Sequence, residues 1–260
     1  MADKPNFVLV PDTDAGANSP RHPAPTVLSR LRDAAVSAIS ALPQRPATLT
    51  APRPATPAAS GRPRLIFGFD ATASREPAWA TARQVTDALV RALPGELDVA
   101  LAVHGGSRLH TFTEFTADPN TLRDRAATIS CIAGHTQLLP ILSRSLASPG
   151  VRVVVYTGDV YEESLARGRK LADELGRQGI KLIVLHDTAD WAARRDAELF
   201  LDLARRTGGC VLPFDASASG RLRDLLAAIA VFAVGGAELL QDKRGELPGA
   251  VLLLQHLGPH

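Results

Sequence analysis

This sequence has little cysteine, few aromatic residues and no excess of charge of either sign. Its two cysteines, Cys131 and Cys210, lie far apart in a chain of 260 residues, which excludes a disulfide framework and a zinc site built from clustered cysteines. Basic and acidic residues nearly balance, with a formal net charge of +2. The composition therefore gives no reason to expect nucleic acid or an anionic membrane as the main partner.

Segments that direct a chain to export or into a membrane are also missing from the pattern. The first residues, Met-Ala-Asp-Lys-Pro-Asn, do not form a basic region followed by an apolar core, so we expect no signal peptide. No apolar run approaches the roughly 20 residues needed to span a bilayer. We therefore expect a cytoplasmic protein that does not bind membranes.

Proline, in contrast, is plentiful near the N-terminus. Residues 43–63 are dominated by proline, alanine, threonine and arginine, which cannot build a core, so we expect residues 1–62 to form a disordered extension. A helical spacing of apolar residues interrupts it at about 27–42, formed by Val27, Leu28, Leu31, Ala34, Ala35, Ile39 and Leu42. This short amphipathic helix either docks on its own domain or serves the groove of a partner.

From residue 63 onward predicted strands and helices alternate, which is typical of a largely parallel sheet covered on both faces. Predicted strands lie at 65–69, 97–103, 108–112, 151–156, 181–186 and 210–214. Predicted helices lie at 76–93, 118–130, 137–147, 163–177, 190–206 and from Asp215 or Ser217 to about 233. The Gly-Gly turn at 105–106 predicts a hairpin with an antiparallel edge strand. We therefore predict an α/β domain at 63–234 with a doubly wound, mostly parallel six-stranded sheet, and a tail at 235–260 that forms a packed helix.

Two acidic residues follow two of the predicted strands. Asp70 ends the first strand, and Asp159 follows the β-branched strand at 151–156. Ligands of doubly wound sheets bind at the carboxyl ends of the strands, so both side chains belong to one edge. Thr72 and Ser74 add two hydroxyl oxygens close to Asp70. Carboxylate and hydroxyl oxygens are hard ligands that suit a small divalent cation such as Mg²⁺.

Three motifs in this order resemble those of the von Willebrand factor A (VWA) domain and its metal-ion-dependent adhesion site (MIDAS). The family's first motif, Asp-x-Ser-x-Ser, corresponds here to Asp70, Thr72 and Ser74. Its second motif, a threonine in a Gly-Gly-Thr-like turn before a helix, corresponds to Thr136 in a Gly-His-Thr turn. Its third motif, an aspartate just after a central hydrophobic strand, corresponds to Asp159.

The resemblance covers roughly residues 63 to 234, including the element order and the antiparallel third strand, and it is to the bacterial intracellular type. It implies a Rossmann-like VWA fold in which the residues of the three motifs hold Mg²⁺ or Mn²⁺. It also implies an open coordination position for an Asp or Glu carboxylate of a partner protein, and no catalysis. Neutral hydroxyl ligands leave the cation electron-poor, so an incoming carboxylate would bind it strongly.

Two positions depart from the family's pattern. Thr72 replaces the usual serine and keeps the hydroxyl oxygen. The third motif is usually Thr-Asp-Gly, whereas this chain has Thr-Gly-Asp. Asp159 therefore stands one position later, and its contact with a cation is either direct or through water. Glu162 or Glu163 could compensate.

Two other interpretations stay open: an enzyme, and a VWA-like scaffold with a non-functional metal site. A hydrophobic strand ending in Asp also opens the haloacid-dehalogenase phosphatases, in which Asp70 would be the nucleophile. Those enzymes need a second Asp two residues later as acid and base, and Thr72 stands there. In the scaffold, Thr72 and Ser74 merely cap the following helix. No glycine-rich phosphate loop follows the first strand, which argues against a nucleotide-binding domain.

The histidines add little to the predicted site. His104 and His110 flank the Gly-Gly turn, an arrangement typical of the surface of an edge strand. His135 stands beside Thr136, and we expect it at the rim of the site. His186 ends a predicted strand, and we expect it to have a plain core or surface role.

Overall fold

The computed structural model describes residues 61–187, 191–214 and 217–257, apart from the side chains of Ser74 and residues 191–193. Nearly all of the expected N-terminal extension, with its helix at 27–42, lies outside these residues. The predictions for it therefore remain predictions.

Six strands form one sheet in the described part of the chain. They are β1 (Arg64–Asp70), β2 (Asp98–Gly105), β3 (Arg108–Phe112), β4 (Val151–Gly158), β5 (Lys181–Asp187) and β6 (Cys210–Phe214). Their order across the sheet is β3-β2-β1-β4-β5-β6, and every neighbouring pair is parallel except β2 and β3. The predicted six-stranded, mostly parallel sheet with one antiparallel edge strand is confirmed.

Helices follow the strands, together with one short 3-10 turn at Ala73–Arg75 directly after β1. The helices are α1 (Glu76–Val85), α2 (Ala88–Arg91), α3 (Pro119–Ala127), α4 (Leu138–Leu146), α5 (Leu165–Arg177), α6 (Trp191–Arg206), α7 (Ser219–Asp242) and α8 (Pro248–His256). The single helix predicted over 76–93 is wrong, because residues 86 and 87 separate α1 from α2.

Alternate residues of β1 face opposite sides of the sheet, and both sides are buried. Leu65, Phe67 and Phe69 lie in a core formed with α1, α2, α3, α7 and α8. Ile66 lies in a second core formed with α4, α5 and α6. Burial on both faces is the reason that the central strands are continuous apolar runs in the sequence, and it confirms the doubly wound α/β fold.

The starts of two helices differ in how they are capped. Asp118 caps α3, since its side chain accepts hydrogen bonds from Asn120 N and Thr121 N. Ser74 is not the cap of α1, because the 3-10 turn intervenes and places Arg75 at the cap position without a side-chain hydrogen bond. This turn brings Arg75 to the carboxyl edge of the sheet.

The longest helix corrects the expectation about apolar runs. Among the described residues, α7 is the one helix that is long and apolar enough to cross a membrane, with a mean hydropathy of 1.6 over its most apolar window of 18 residues. Half of that window is buried within the domain, and Leu226 and Ile229 are fully buried in the core. Packing against the sheet therefore accounts for the apolar composition. The helix also breaks at Gly236, whose φ of +69° is accessible to glycine at little cost.

Candidate metal centre

The strand order reverses between β1 and β4, which lie side by side and parallel at the centre of the sheet. Asp70 is the last residue of β1, and Asp159 directly follows β4. The loops after these two strands diverge above the sheet, which is how such a reversal creates a crevice for a ligand. The structure thus places the first and third motifs at the same edge.

A cavity of about 320 Å³, here called the switch-point cavity, opens at this edge. It is lined by residues of all three motif loops: Thr72, Ala73, Ala133, Gly134, Thr136, Asp159, Val160 and Glu162. Within the described residues, no group of three or more His, Cys, Asp or Glu side chains could hold a metal ion. A cation in this cavity would therefore depend on the hydroxyl oxygens as well as on carboxylates.

Asp70 is fully buried and is not among the residues that line the cavity. Its Oδ1 accepts a hydrogen bond from Thr72 N at 3.0 Å, and its Oδ2 has no hydrogen-bond partner in the described part of the chain. Burial, reinforced by the nearby Asp159, raises the pKa of Asp70 to about 6 against the stabilising hydrogen bonds from Thr72. An orphaned buried carboxylate oxygen is the feature expected of a site that a cation completes.

Thr136 is held in place by a close approach of two loops. A Cβ atom on Gly134 would lie 2.4 Å from Ser107 N, so glycine is required where this loop meets the β2–β3 turn. His135 N also donates to Ser107 Oγ at 2.9 Å. These contacts fix the residue before Thr136 and leave the Thr136 side chain, which is 5% exposed, facing the cavity.

The two glutamates after Asp159 take separate roles. Glu162 lines the cavity, its Oε2 accepts from Thr136 N at 2.9 Å, and its own N donates to Thr136 Oγ1 at 3.2 Å. Glu163 instead accepts a hydrogen bond from Leu139 N at the start of α4. The choice between them as a compensating ligand, left open by the sequence, falls on Glu162.

Arg75 is the residue that sequence reasoning missed. It is 5% exposed, and its Nη1 donates to Asp187 Oδ2 at 2.6 Å and lies 3.7 Å from Asp159 Oδ2. A positive charge at the start of a helix is unfavourable for the helix dipole, so an arginine directly before α1 was the available signal. The guanidinium offsets part of the negative charge beside the cavity.

Asp159 is positioned by hydrogen bonds with a backbone N–H and with the buried His186. Its Oδ1 accepts from Val160 N at 2.8 Å, and its carbonyl oxygen accepts from His186 Nε2 at 2.9 Å. The plain core role expected of His186 is thus extended, because this ring, 1% exposed, fixes the loop that carries Asp159. The side chain of Ser74, the remaining predicted ligand, lies outside the described residues, and its backbone is part of the 3-10 turn.

The prediction that His104 lies on the surface of an edge strand is wrong, because the residue is fully buried in β2. The register pairs it with Asp70 across β1 and β2, and its Nε2 shares a hydrogen bond of 2.9 Å with Tyr156 Oη. Its Nδ1 lies 3.7 Å from Asp70 Oδ1. Burial lowers the pKa of His104 to about 3, so at neutral pH the ring is uncharged and this pair is not an ion pair.

Replacing His104 tests this burial through the pH dependence of stability. A base whose pKa falls from 6.5 on folding contributes stability that is complete above pH 6.5 and is lost as pH falls towards 3. In EDTA, the free energy of unfolding of wild type should fall by about 2 kcal/mol more than that of His104→Gln between pH 7.5 and 5. Chemical denaturation at both pH values measures this. The exposed His256→Gln should behave as wild type, and parallel curves for His104→Gln would contradict the assignment.

Similarity to known proteins lies in the fold. No protein-family model matches the sequence, and no curated protein matches it either. Solved structures do match. A von Willebrand factor type A protein from Catenulispora acidiphila matches with a TM-score of 0.55 and 13% identity, over 65% of this chain and 43% of that one. Proximal thread matrix protein 1 from the mussel byssus, with a zinc-occupied MIDAS motif, matches with a TM-score of 0.53 and 12% identity, over 65% of this chain and 46% of that one, and the pilus adhesin SpaC from Lactobacillus rhamnosus GG matches with a TM-score of 0.52 and 10% identity, over 68% and 31%.

These likenesses define the class of protein: a domain with a VWA-like α/β fold. Identities of 10 to 13% show the fold alone. This chain also spans less than half the length of each of these proteins. What those proteins bind is therefore not carried over to this chain by the comparison.

Proposed function

We propose that this domain binds another protein through a divalent cation, Mg²⁺ or Mn²⁺, held in the switch-point cavity by Asp70, Thr72, Ser74, Thr136 and Asp159. The observation that carries this proposal is the convergence of Thr72, Thr136 and Asp159 on one cavity, next to a loop whose buried Asp70 has an Oδ2 without a partner among the described residues. Burying a carboxylate oxygen without a partner is unfavourable, and a cation offsets that cost.

The chemistry of the donors fits a hard cation that keeps part of its hydration shell. Two of the three motif residues that line the cavity are neutral hydroxyl donors, and the guanidinium of Arg75 lies close to Asp159, the third. Once bound, the cation would supply a centre that still attracts an Asp or Glu carboxylate of a partner. A zinc-occupied MIDAS motif in a solved structure with the same fold supports this by likeness of fold only.

The proposal includes no catalysis, no nucleic acid and no membrane, and it places the protein in the cytoplasm. Thr72, at the position where a phosphatase needs its acid and base, lines the cavity and carries no titratable group in the working range. Both cysteines are free, which fits a reducing compartment. An assay of p-nitrophenyl phosphate hydrolysis with Mg²⁺ should give no release above a protein-free control.

Calorimetric titration of Mn²⁺ or Mg²⁺ into wild type, Asp159→Asn and Asp173→Asn tests the cation site. Wild type should bind in the micromolar to millimolar range, as expected of a partly hydrated, open site. Asp159→Asn should bind roughly tenfold more weakly, because an amide contributes no charge to the cation. Asp173 pairs with Arg206 on the helical surface, so its variant should match wild type.

Two results would count against the site. The absence of binding by wild type would exclude the proposed cation. Unchanged affinity in Asp159→Asn would remove Asp159 from the ligands and leave the other motif residues to be tested in turn.

A second candidate is a VWA-like scaffold that binds its partner without a cation, and one observation favours it. Arg75 already places a positive charge 3.7 Å from Asp159 and binds Asp187. An arginine in this position neutralises carboxylates without any metal. The two candidates differ in whether wild type responds to cations at all, and in what the loss of Arg75 does.

A further inference from the structure

The lining of the switch-point cavity includes a second carboxylate besides that of Asp159. Glu162 lies on the loop between β4 and α5, lines the cavity, and its side chain is 37% exposed. Its Oε2 accepts from Thr136 N at 2.9 Å, and its Oε1 lies 3.1 Å from His135 Nδ1. The carboxylate is therefore held beside the residue whose hydroxyl is a proposed cation ligand, and it remains partly exposed to solvent.

The adjacent glutamate shows that this placement is specific. Glu163 has the same side chain, but its Oε2 accepts from Leu139 N at 2.8 Å, and it does not line the cavity. Only one of the two carboxylates therefore enters the candidate site.

The charges around the cavity leave a role for Glu162. Thr72 and Thr136 are neutral, and Asp159 lies close to the guanidinium of Arg75. Glu162 adds a carboxylate to this lining, and its two oxygens are held by Thr136 N and His135 Nδ1. Glu162 thus supplies negative charge at the point where the motif residues supply little.

We propose that the Glu162 carboxylate binds the cation directly and occupies the coordination position that a partner's carboxylate needs. The inference rests on the proposed cation site. The resting domain would then be closed by its own side chain, and a partner's Asp or Glu would replace one carboxylate with another. Because such an exchange changes the cation's bonds little, contacts around the cavity would decide which partner binds.

Water bound to Mn²⁺ reports on this position without any partner. The relaxation rate of water protons, measured per Mn²⁺ bound to the domain, rises with the number of water molecules on the cation. Glu162→Gln should gain about one water and bind Mn²⁺ roughly tenfold more weakly than wild type. Glu163→Gln is the matched control, since its amide oxygen can still accept from Leu139 N, and it should match wild type.

Acetate serves as a probe for the partner's carboxylate. Added to the Mn²⁺-loaded proteins, it should displace the extra water of Glu162→Gln and leave the relaxation of wild type unchanged at the same concentration. Glu162→Asp keeps the charge and shortens the side chain by one methylene, so it should also gain water. It provides the test if the Gln variant fails to fold.

The outcomes separate this inference from the function on which it rests. Wild type that binds no Mn²⁺ would overturn the cation site itself. Wild type that binds Mn²⁺ with the same water count as both Glu162 variants would leave the site standing and show that Glu162 only caps the loop before α4.

Discussion

Asp70→Asn should be more stable than wild type in EDTA at pH 7.5 and should lose the stabilisation that Mg²⁺ gives to wild type. Burial raises the pKa of Asp70 from 3.8 to about 6, so its contribution to stability is complete below pH 3.8 and is lost as pH rises through 6. At about 1.4 kcal/mol for each pKa unit, the charged carboxylate destabilises the cation-free fold by about 3 kcal/mol. An amide carries no such charge.

The cation should remove most of this difference in stability. A ligand present at 100 times its dissociation constant stabilises the folded state by about 2.7 kcal/mol. Wild type should gain this stability and Asp70→Asn should not, because the proposed cation would bind Asp70 Oδ2, which has no hydrogen-bond partner in the described part of the chain. Thermal and chemical unfolding with Mg²⁺ and with EDTA measure both effects.

Asp124→Asn is the matched control for this pair of measurements, since Asp124 is exposed on α3. It should follow wild type in both buffers. A Mg²⁺ response in Asp70→Asn equal to that of wild type would show that Asp70 is not a ligand. A less stable Asp70→Asn in EDTA would show that its hydrogen bonds outweigh its desolvation.

Arg75→Gln should lower the free energy of unfolding by about 3 kcal/mol in EDTA, because removing one partner from a largely buried set of charges leaves the others with less compensating charge. Asp159 and Asp187 both lose this counter-charge, and their side chains are only 18% and 14% exposed. Arg177→Gln is the control. Its side chain is 71% exposed and pairs with Glu174 on the surface of α5, so the loss should stay under about 1 kcal/mol.

The response of Arg75→Gln to Mg²⁺ separates the two candidate functions. If the cavity holds a cation, removing a positive charge from beside Asp159 should tighten Mg²⁺ binding roughly tenfold and recover part of the lost stability. If Arg75 itself replaces the cation, neither wild type nor the variant should respond to Mg²⁺. Calorimetric titration of both proteins with Mg²⁺, and their unfolding in Mg²⁺ and in EDTA, distinguish the two candidates.

Much of the fold was predictable because it depends on local pattern. The apolar run before Asp70 and the β-branched run before Asp159 form β1 and β4. The predicted antiparallel β2–β3 hairpin is present, with its turn at Gly106 and Ser107. Asp118 caps α3 where the sequence places it. These features follow from backbone preferences and side-chain periodicity, which act over a few residues and are therefore visible in one sequence.

Errors arose where a neighbour in space decides the outcome. His104 is typical of an edge strand by its position before a turn, but β2 lies between β1 and β3 and is covered on both faces. The 3-10 turn after β1 moves the start of α1 and turns Arg75 towards Asp159 and Asp187. The apolar content of α7 is explained only by the core that it covers.

The sequence by itself determined that the chain contains an alternating α/β domain, that oxygen-rich loops follow two of its strands, and that a third such loop lies between two helices. Only the tertiary structure decided which side chains share the cavity, that Glu162 rather than Glu163 enters it, and that Arg75 stands beside Asp159. The physical reason is range. Secondary structure is set by interactions between near neighbours, whereas a site at the carboxyl edge of a sheet is assembled from residues up to 90 positions apart, and its electrostatics depend on burial that no local pattern records.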